Sequence, residues 1–130
     1  KFLQNAGLAS LASVSNLPAE PERDKELFIH HVFFYLKEPN NAQHEAQLLE
    51  GLHKLAKVPT IQFVHIGKPA HTNRDVIVRD YSLSWMCFFK NILEEEIYQT
   101  HQIHLDFISD YSHLWEKVVV YDSVGPKKIG

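Results

Sequence analysis

Tyr98, His101 and His104 carry the strongest chemical signal in the chain. On a helix, positions 101 and 104 are neighbours on one face, and position 98 lies three residues further back on the same side. A phenol and a neutral imidazole that reach one ligand atom form an acid–base pair. The phenol donates to a carbonyl or enolate oxygen, and the imidazole accepts a proton. An aldol-type ring closure or an isomerisation needs little more. A straight helix works against this, because six residues turn the chain through about 600° and leave Tyr98 and His104 about 120° out of alignment. Convergence requires a break near Thr100 and His101. Two other readings use the same residues. In a structural one, His104 bonds a backbone carbonyl and Tyr98 packs with its hydroxyl at the rim. In a metal or haem one, His31, His101 and His104 supply imidazoles. Helical zinc pairs favour a spacing of four, and no carboxylate stands out as a third ligand, so neither a metal nor a cofactor is expected.

The elements that must position these residues follow from hydrophobic period. The run 27–36, Leu-Phe-Ile-His-His-Val-Phe-Phe-Tyr-Leu, is apolar on both faces, as a strand covered on both sides should be. Its adjacent His30 and His31 point to opposite faces, so one meets helices and the other a partner sheet. Asn40 and Asn41 offer a cap for a helix over 42–57, where Leu48, Leu52 and Leu55 form one stripe. Pro59 stops it. Residues 61–67 alternate as a second strand, 68–78 form the longest loop, and 81–89 form a third strand. Residues 92–115 are helical in two pieces, and 117–124 make a fourth strand. Glu94-Glu95-Glu96 reads as a solvated helix start. His44, His53, His65, His71 and His113 show no partner pattern and read as surface or rim residues.

The order β-α-β-β-α-β is the ferredoxin-like α+β arrangement, with helices on one face of the sheet. Apolar residues on the other face need a cover, and a second copy of the same sheet is the simplest one. The expected assembly is a homodimeric α+β barrel, with Phe34 and His30 in the interface. Residues 26–125 form this domain, 1–25 an N-terminal segment and linker, and 126–130 a tail.

Composition narrows the partners. At 130 residues, with 45% apolar and 22% charged residues, the chain has the size and make-up of one globular domain. A net charge of -3 gives no basic surface for nucleic acid. The single cysteine, Cys87, lies in an apolar run and reads as a small buried hydrophobe. No apolar run approaches the roughly 20 residues that span a bilayer. There is no phosphate-binding glycine loop, nucleophile elbow or zinc-protease motif. Residues 1–12, Lys-Phe-Leu-Gln-Asn-Ala-Gly-Leu-Ala-Ser-Leu-Ala, resemble the part of a twin-arginine export signal that follows the arginines. That implies a periplasmic protein; a packed amphipathic helix on a cytoplasmic protein is the alternative.

Several stretches together resemble the stress-responsive A/B barrel family. They are His31-Val32 with the strand leading to Lys37, Tyr81-Ser82, residues 98–104 (Tyr-Gln-Thr-His-Gln-Ile-His), and residues 114–122, Leu-Trp-Glu-Lys through Tyr121-Asp122. The likeness covers about Leu27 to Val124 and implies a dimeric α+β barrel. One relative of this type is a plant polyketide cyclase in which a helix tyrosine and histidine act on a substrate between sheet and helices. Carried over, these are Tyr98 and His104 as catalytic residues. The resemblance places His31, Phe33 and Tyr35 on the cavity side as ligand-binding residues, with His101 beside them. Two positions depart from the family pattern: Leu83 stands for a pocket histidine, and Gln102 for the proline of His-Pro-x-His. The implied function is binding of a small, partly apolar molecule. The alternatives are a cyclase- or isomerase-like enzyme using Tyr98 and His104, and a purely structural dimer.

Overall fold

The computed structural model describes residues 26–127. Strand β1 (Glu26–Leu36) is built of β-branched and aromatic residues and alternates in burial from Phe28 to Leu36. Helix α1 (Ala42–Leu55) starts where the Asn41 side chain accepts hydrogen bonds from the backbone N–H of Gln43 and His44. It buries Leu48, Leu52 and Leu55, the stripe its sequence period sets out. Strands β2 (Ile61–Gly67) and β3 (Leu83–Phe89) follow, then helices α2 (Ile92–Thr100) and α3 (Gln102–Tyr111), a single 3₁₀ turn, and strand β4 (Trp115–Pro126). The strands form one antiparallel sheet in the order β2-β3-β1-β4, the ferredoxin-like arrangement. Residues 1–25, and with them the export-signal and linker readings, lie outside the described residues.

Element types agree with the sequence reading, and the differences sit at ends. Strand β3 begins at Leu83 and not at Tyr81, because Ser82 closes the sheet end. Its N–H donates to the Phe34 carbonyl, and its hydroxyl accepts from the Leu36 N–H. Strand β4 runs on to Pro126, paired with β1 along its length.

The two faces of the sheet are the reverse of the sequence expectation. Phe34 is 4% exposed beneath the helices, ring against ring with Phe107 and Trp115. His30 shares that covered face, with Val32, Trp85, Cys87 and Phe89. His31, Phe33 and Tyr35 point to the opposite face, which no element of the described chain covers. The physical reason is the two-residue period of a strand. Alternation separates two sets of side chains but does not say which set meets the helices, and a one-residue shift in reading exchanges them. Here β1 is apolar in both sets, so composition could not break the tie.

Helix α1 crosses α3 at Gly51, where the Tyr111 ring lies so close that an added Cβ would sit 2.7 Å from one of its carbons. Tyr111 is held by stacking on Phe107 and cannot swing away freely. Gly51→Ala is therefore expected to destabilise the protein by about 1–3 kcal/mol, the usual range for overpacking. Urea denaturation checks this; an unchanged or raised midpoint would show that the α1–α3 contact is loose.

Candidate functional site

Helix α2 begins at Asn91, whose side chain accepts a hydrogen bond from the Glu94 N–H. From there Glu95, Tyr98 and Gln99 fall on the face turned to the sheet and are all buried. The helix ends at Thr100. His101 leaves the helical region with ψ of 143°, and α3 starts immediately after it. This is the break that the spacing of Tyr98 and His104 requires. It brings their rings to 4.8 Å between centroids, edge to face. His101 itself serves as the cap of α3: its Nδ1 accepts from the Ile103 N–H. That fixes the proton of the neutral ring on Nε2.

Tyr98 and His104 line a cavity of about 300 Å³ between the sheet and the two helices. Its walls are largely apolar, including Val32, Phe34, Phe107 and Ile108, with Val118 and Val120 of β4 at the rim. The polar groups on the wall are few: His30, Tyr98, Gln99, His104, Ser112 and the indoles of Trp85 and Trp115. Three of these residues have a buried atom with no hydrogen-bond partner in the protein, namely Trp85 Nε1, Gln99 Oε1 and His104 Nδ1. Each such atom costs about 1–3 kcal/mol when nothing satisfies it.

Burial sets the protonation states. It pushes the His104 imidazole down to about 4, with the nearby His30 adding to the effect, so His104 is neutral at pH 7. Burial likewise holds the Tyr98 phenol well above its ordinary value, aided by Cys87 and Glu95. The Trp85 indole is near enough to oppose that shift, although no well-formed hydrogen bond joins the two. Tyr98 is thus a proton donor and His104 a potential acceptor.

At one end of the cavity His30 Nδ1 lies 2.7 Å from Asp122 Oδ1 and 4.0 Å from Glu95 Oε2. The Asp122 contact follows from the sheet, because His30 and Asp122 are directly paired across β1 and β4. With Nδ1–H donating to Asp122, the Nε2 lone pair of a neutral His30 is left free to accept. Glu95 accepts from the Gln99 side-chain amide at 2.7 Å, and its burial raises its carboxyl above the usual carboxylate range.

Of the residues singled out from sequence, Tyr98 and His104 come together. His31, Phe33 and Tyr35 do not join them, since they lie on the open face, and His101 is turned into a helix cap. The proposed imidazole set of His31, His101 and His104 is likewise split between the two faces. Sequence reasoning missed His30, Trp85, Glu95, Gln99 and Asp122. Glu95 could have been found: it stands three residues before Tyr98, on the same helix face. By type alone it belongs with Glu94 and Glu96 to a run that reads as a solvated helix start. Trp85 and Asp122 depend on strand register, for which the sequence carries no local signal.

The family model of the stress responsive A/B barrel domain matches residues 28–124. The chain belongs to this family. No curated protein matches it in sequence. Among solved structures, it is similar to a ferredoxin-like protein of the family from Mesorhizobium loti, with 20% identity and a TM-score of 0.63 over 75% of this chain and 95% of that one. It is similar to the hydroxynitrile lyase of Passiflora edulis, with 16% identity and a TM-score of 0.64 over 82% of this chain and 99% of that one. A dimeric ferredoxin-like protein of unknown function from Thermobifida fusca matches with 15% identity and a TM-score of 0.61, over 75% and 90% of the two chains. At these identities the likeness establishes a shared fold.

The lowered His104 value carries a sign that can be measured. The unfolded chain takes up the proton near pH 6.5 and the folded one only near 4, so the unfolded state binds more protons between those values. His104 therefore withdraws stability as pH falls from about 6.5 towards 4, by a few kcal/mol at most, at about 1.4 kcal/mol per unit. NMR titration of the His104 ring should give a midpoint near 4. A midpoint above 6 would mean that the ring is solvated and that the cavity is open to bulk water at this point.

Proposed function

We propose that the cavity between sheet and helices binds a small, uncharged, partly apolar molecule that carries an oxygen able to exchange hydrogen bonds. The unpartnered Trp85 Nε1, Gln99 Oε1 and His104 Nδ1 carry this reading. An indole N–H can only donate and an amide oxygen can only accept, so together they complement a ligand with both functions, such as a hydroxyl or a carbonyl with a neighbouring hydroxyl. The volume of about 300 Å³ is at the small end of ligand sites.

A second reading, proton-transfer catalysis of cyclase or isomerase type, is favoured by the approach of Tyr98 and His104 and by their protonation states. A neutral imidazole can take a proton from a carbon beside a carbonyl. The protonated phenol can donate to the oxygen on which charge develops. The hydroxynitrile lyase among the structural neighbours is an enzyme on the same fold. The bound molecule would be tested with a panel of neutral aromatic aldehydes, ketones and hydroxyketones by saturation-transfer NMR. Binding is expected for the native protein and at least tenfold weaker for Tyr98→Phe, with the melting temperature nearly unchanged. Loss of stability in Tyr98→Phe, with no compound bound by either form, would return Tyr98 to a structural role.

We further propose that the open sheet face closes on a second copy of this chain. Phe33 is in edge contact with Tyr81 and Tyr121 and lies against His31. Phe63 and Tyr121 on the same face are 51% and 66% exposed, which is unusual for an aromatic surface without a partner. Several structural neighbours are described as dimeric. Among the described residues no helix is long and apolar enough to cross a membrane. Because Phe34 lies under the helices, the interface substitution falls on Phe33. Phe33→Asp should give a monomer at micromolar concentration by light scattering, since an unpaired carboxylate is costly to bury. A dimer that survives this change would exclude the sheet face as the contact.

A further inference from the structure

At the end of the cavity one imidazole meets two carboxylates. His30 Nδ1, Glu95 Oε2 and Asp122 Oδ1 all lie within 4.8 Å of one another. One N–H of His30 faces two carboxylates and can serve only one of them, and Asp122 takes it at 2.7 Å. Glu95 Oε2 stays 4.0 Å from the same nitrogen, buried, with the Gln99 amide as its hydrogen-bond donor. A single positive centre between the three atoms would satisfy both carboxylates at once.

We propose that His30, Glu95 and Asp122 form a binding site for one first-row divalent cation, of the zinc type, at the end of the cavity. Donor chemistry selects the class. One imidazole nitrogen with two carboxylate oxygens suits Zn²⁺ and its first-row neighbours better than Ca²⁺ or Mg²⁺, which take oxygen ligands throughout. Bonds of about 2.1 Å place the ligand atoms of such an ion about 3.0–3.4 Å apart. The two separations from His30, 2.7 Å and 4.0 Å, bracket that range, and all three atoms lie within 4.8 Å of one another, so rotation of the two carboxylate side chains brings the set to an ion. His30 is neutral when it ligates: its proton moves to Nε2 and the Nδ1 lone pair meets the ion. The Gln99 amide, donating to Glu95 Oε2, holds that carboxylate in orientation as an outer-shell partner. Three protein ligands leave a coordination position for water or for an oxygen of a molecule in the cavity.

The site goes beyond the binding proposed above: it touches the cavity wall through His30, but none of its three ligands is Tyr98 or His104. Co²⁺ serves as the probe, since its visible spectrum reports ligand number and geometry. Titration of the full chain, purified through chelator, should give one strong site per chain. Affinity should fall at least tenfold in Glu95→Gln and in Asp122→Asn and should be retained in Tyr98→Phe. Zn²⁺ should compete for the same site and raise the melting temperature of the native protein but not of the two carboxylate variants. Unchanged Co²⁺ affinity in both variants would assign the binding to surface histidines and overturn the proposal. So would the absence of a strong site in the native protein, while ligand binding through Tyr98 could still stand.

Discussion

The site depends on one local backbone event, the departure of His101 from the helical region between α2 and α3. A continuous helix would carry Tyr98 and His104 to different sides, about 120° apart. With the break, the two rings meet at 4.8 Å and face the same cavity. The break is locally stabilised, because the His101 side chain caps the helix that follows it. A residue whose type suggests a ligand is thus the break that brings its neighbours together. Sheet and helices then complete the enclosure: β1 and β3 give the floor, α2 and α3 the roof, and the part of β4 beyond the helices leaves an apolar rim.

Burial does the electrostatic work. The same removal of water that lowers the proton affinity of His104 raises that of Glu95 and protects the Tyr98 proton. Desolvation always disfavours the charged form, so it acts on acids and bases in opposite directions. The result is a cavity in which His104 is neutral at pH 7 and the Tyr98 phenol keeps its proton, while the Asp122 carboxylate at its end is half-exposed. Polar atoms left without partners in such surroundings are unfavourable in the empty protein. A ligand that satisfies them recovers that free energy on binding.

The fold was legible in the sequence because its signals are local and repeated. The leucine stripe of α1, the cap at Asn41 and the alternation of β2 each name their element without help from the rest of the chain. Tyr98 and His104 were legible as well, through residue type, spacing and likeness to the family. The strand phase of β1 was not. His30 and His31 are adjacent and chemically identical, and the apolar residues around them serve either face equally well. Choosing between them takes the register with β3 and β4, a non-local property. Asp122 illustrates the same limit: its role follows from lying opposite His30, 92 residues away in sequence. Glu95 was hidden differently, since a run of three glutamates is most simply a solvated helix start. Only the phase of α2 against Tyr98 shows that the middle one turns inward.

The account rests on the cavity being a site for a ligand and not a packing defect, and the Trp85 indole reports on this directly. Both tryptophans of the chain line the cavity, so a nitrogen–proton correlation spectrum contains two indole signals to follow. Addition of a neutral hydroxyketone or aldehyde that binds should move the Trp85 indole proton downfield, as its unpartnered N–H gains an oxygen acceptor. The shift should saturate and should be much reduced in His104→Gln. An indole signal that stays fixed with every such compound, and exchanges with solvent only on global unfolding, would show a closed, dry core and contradict the account.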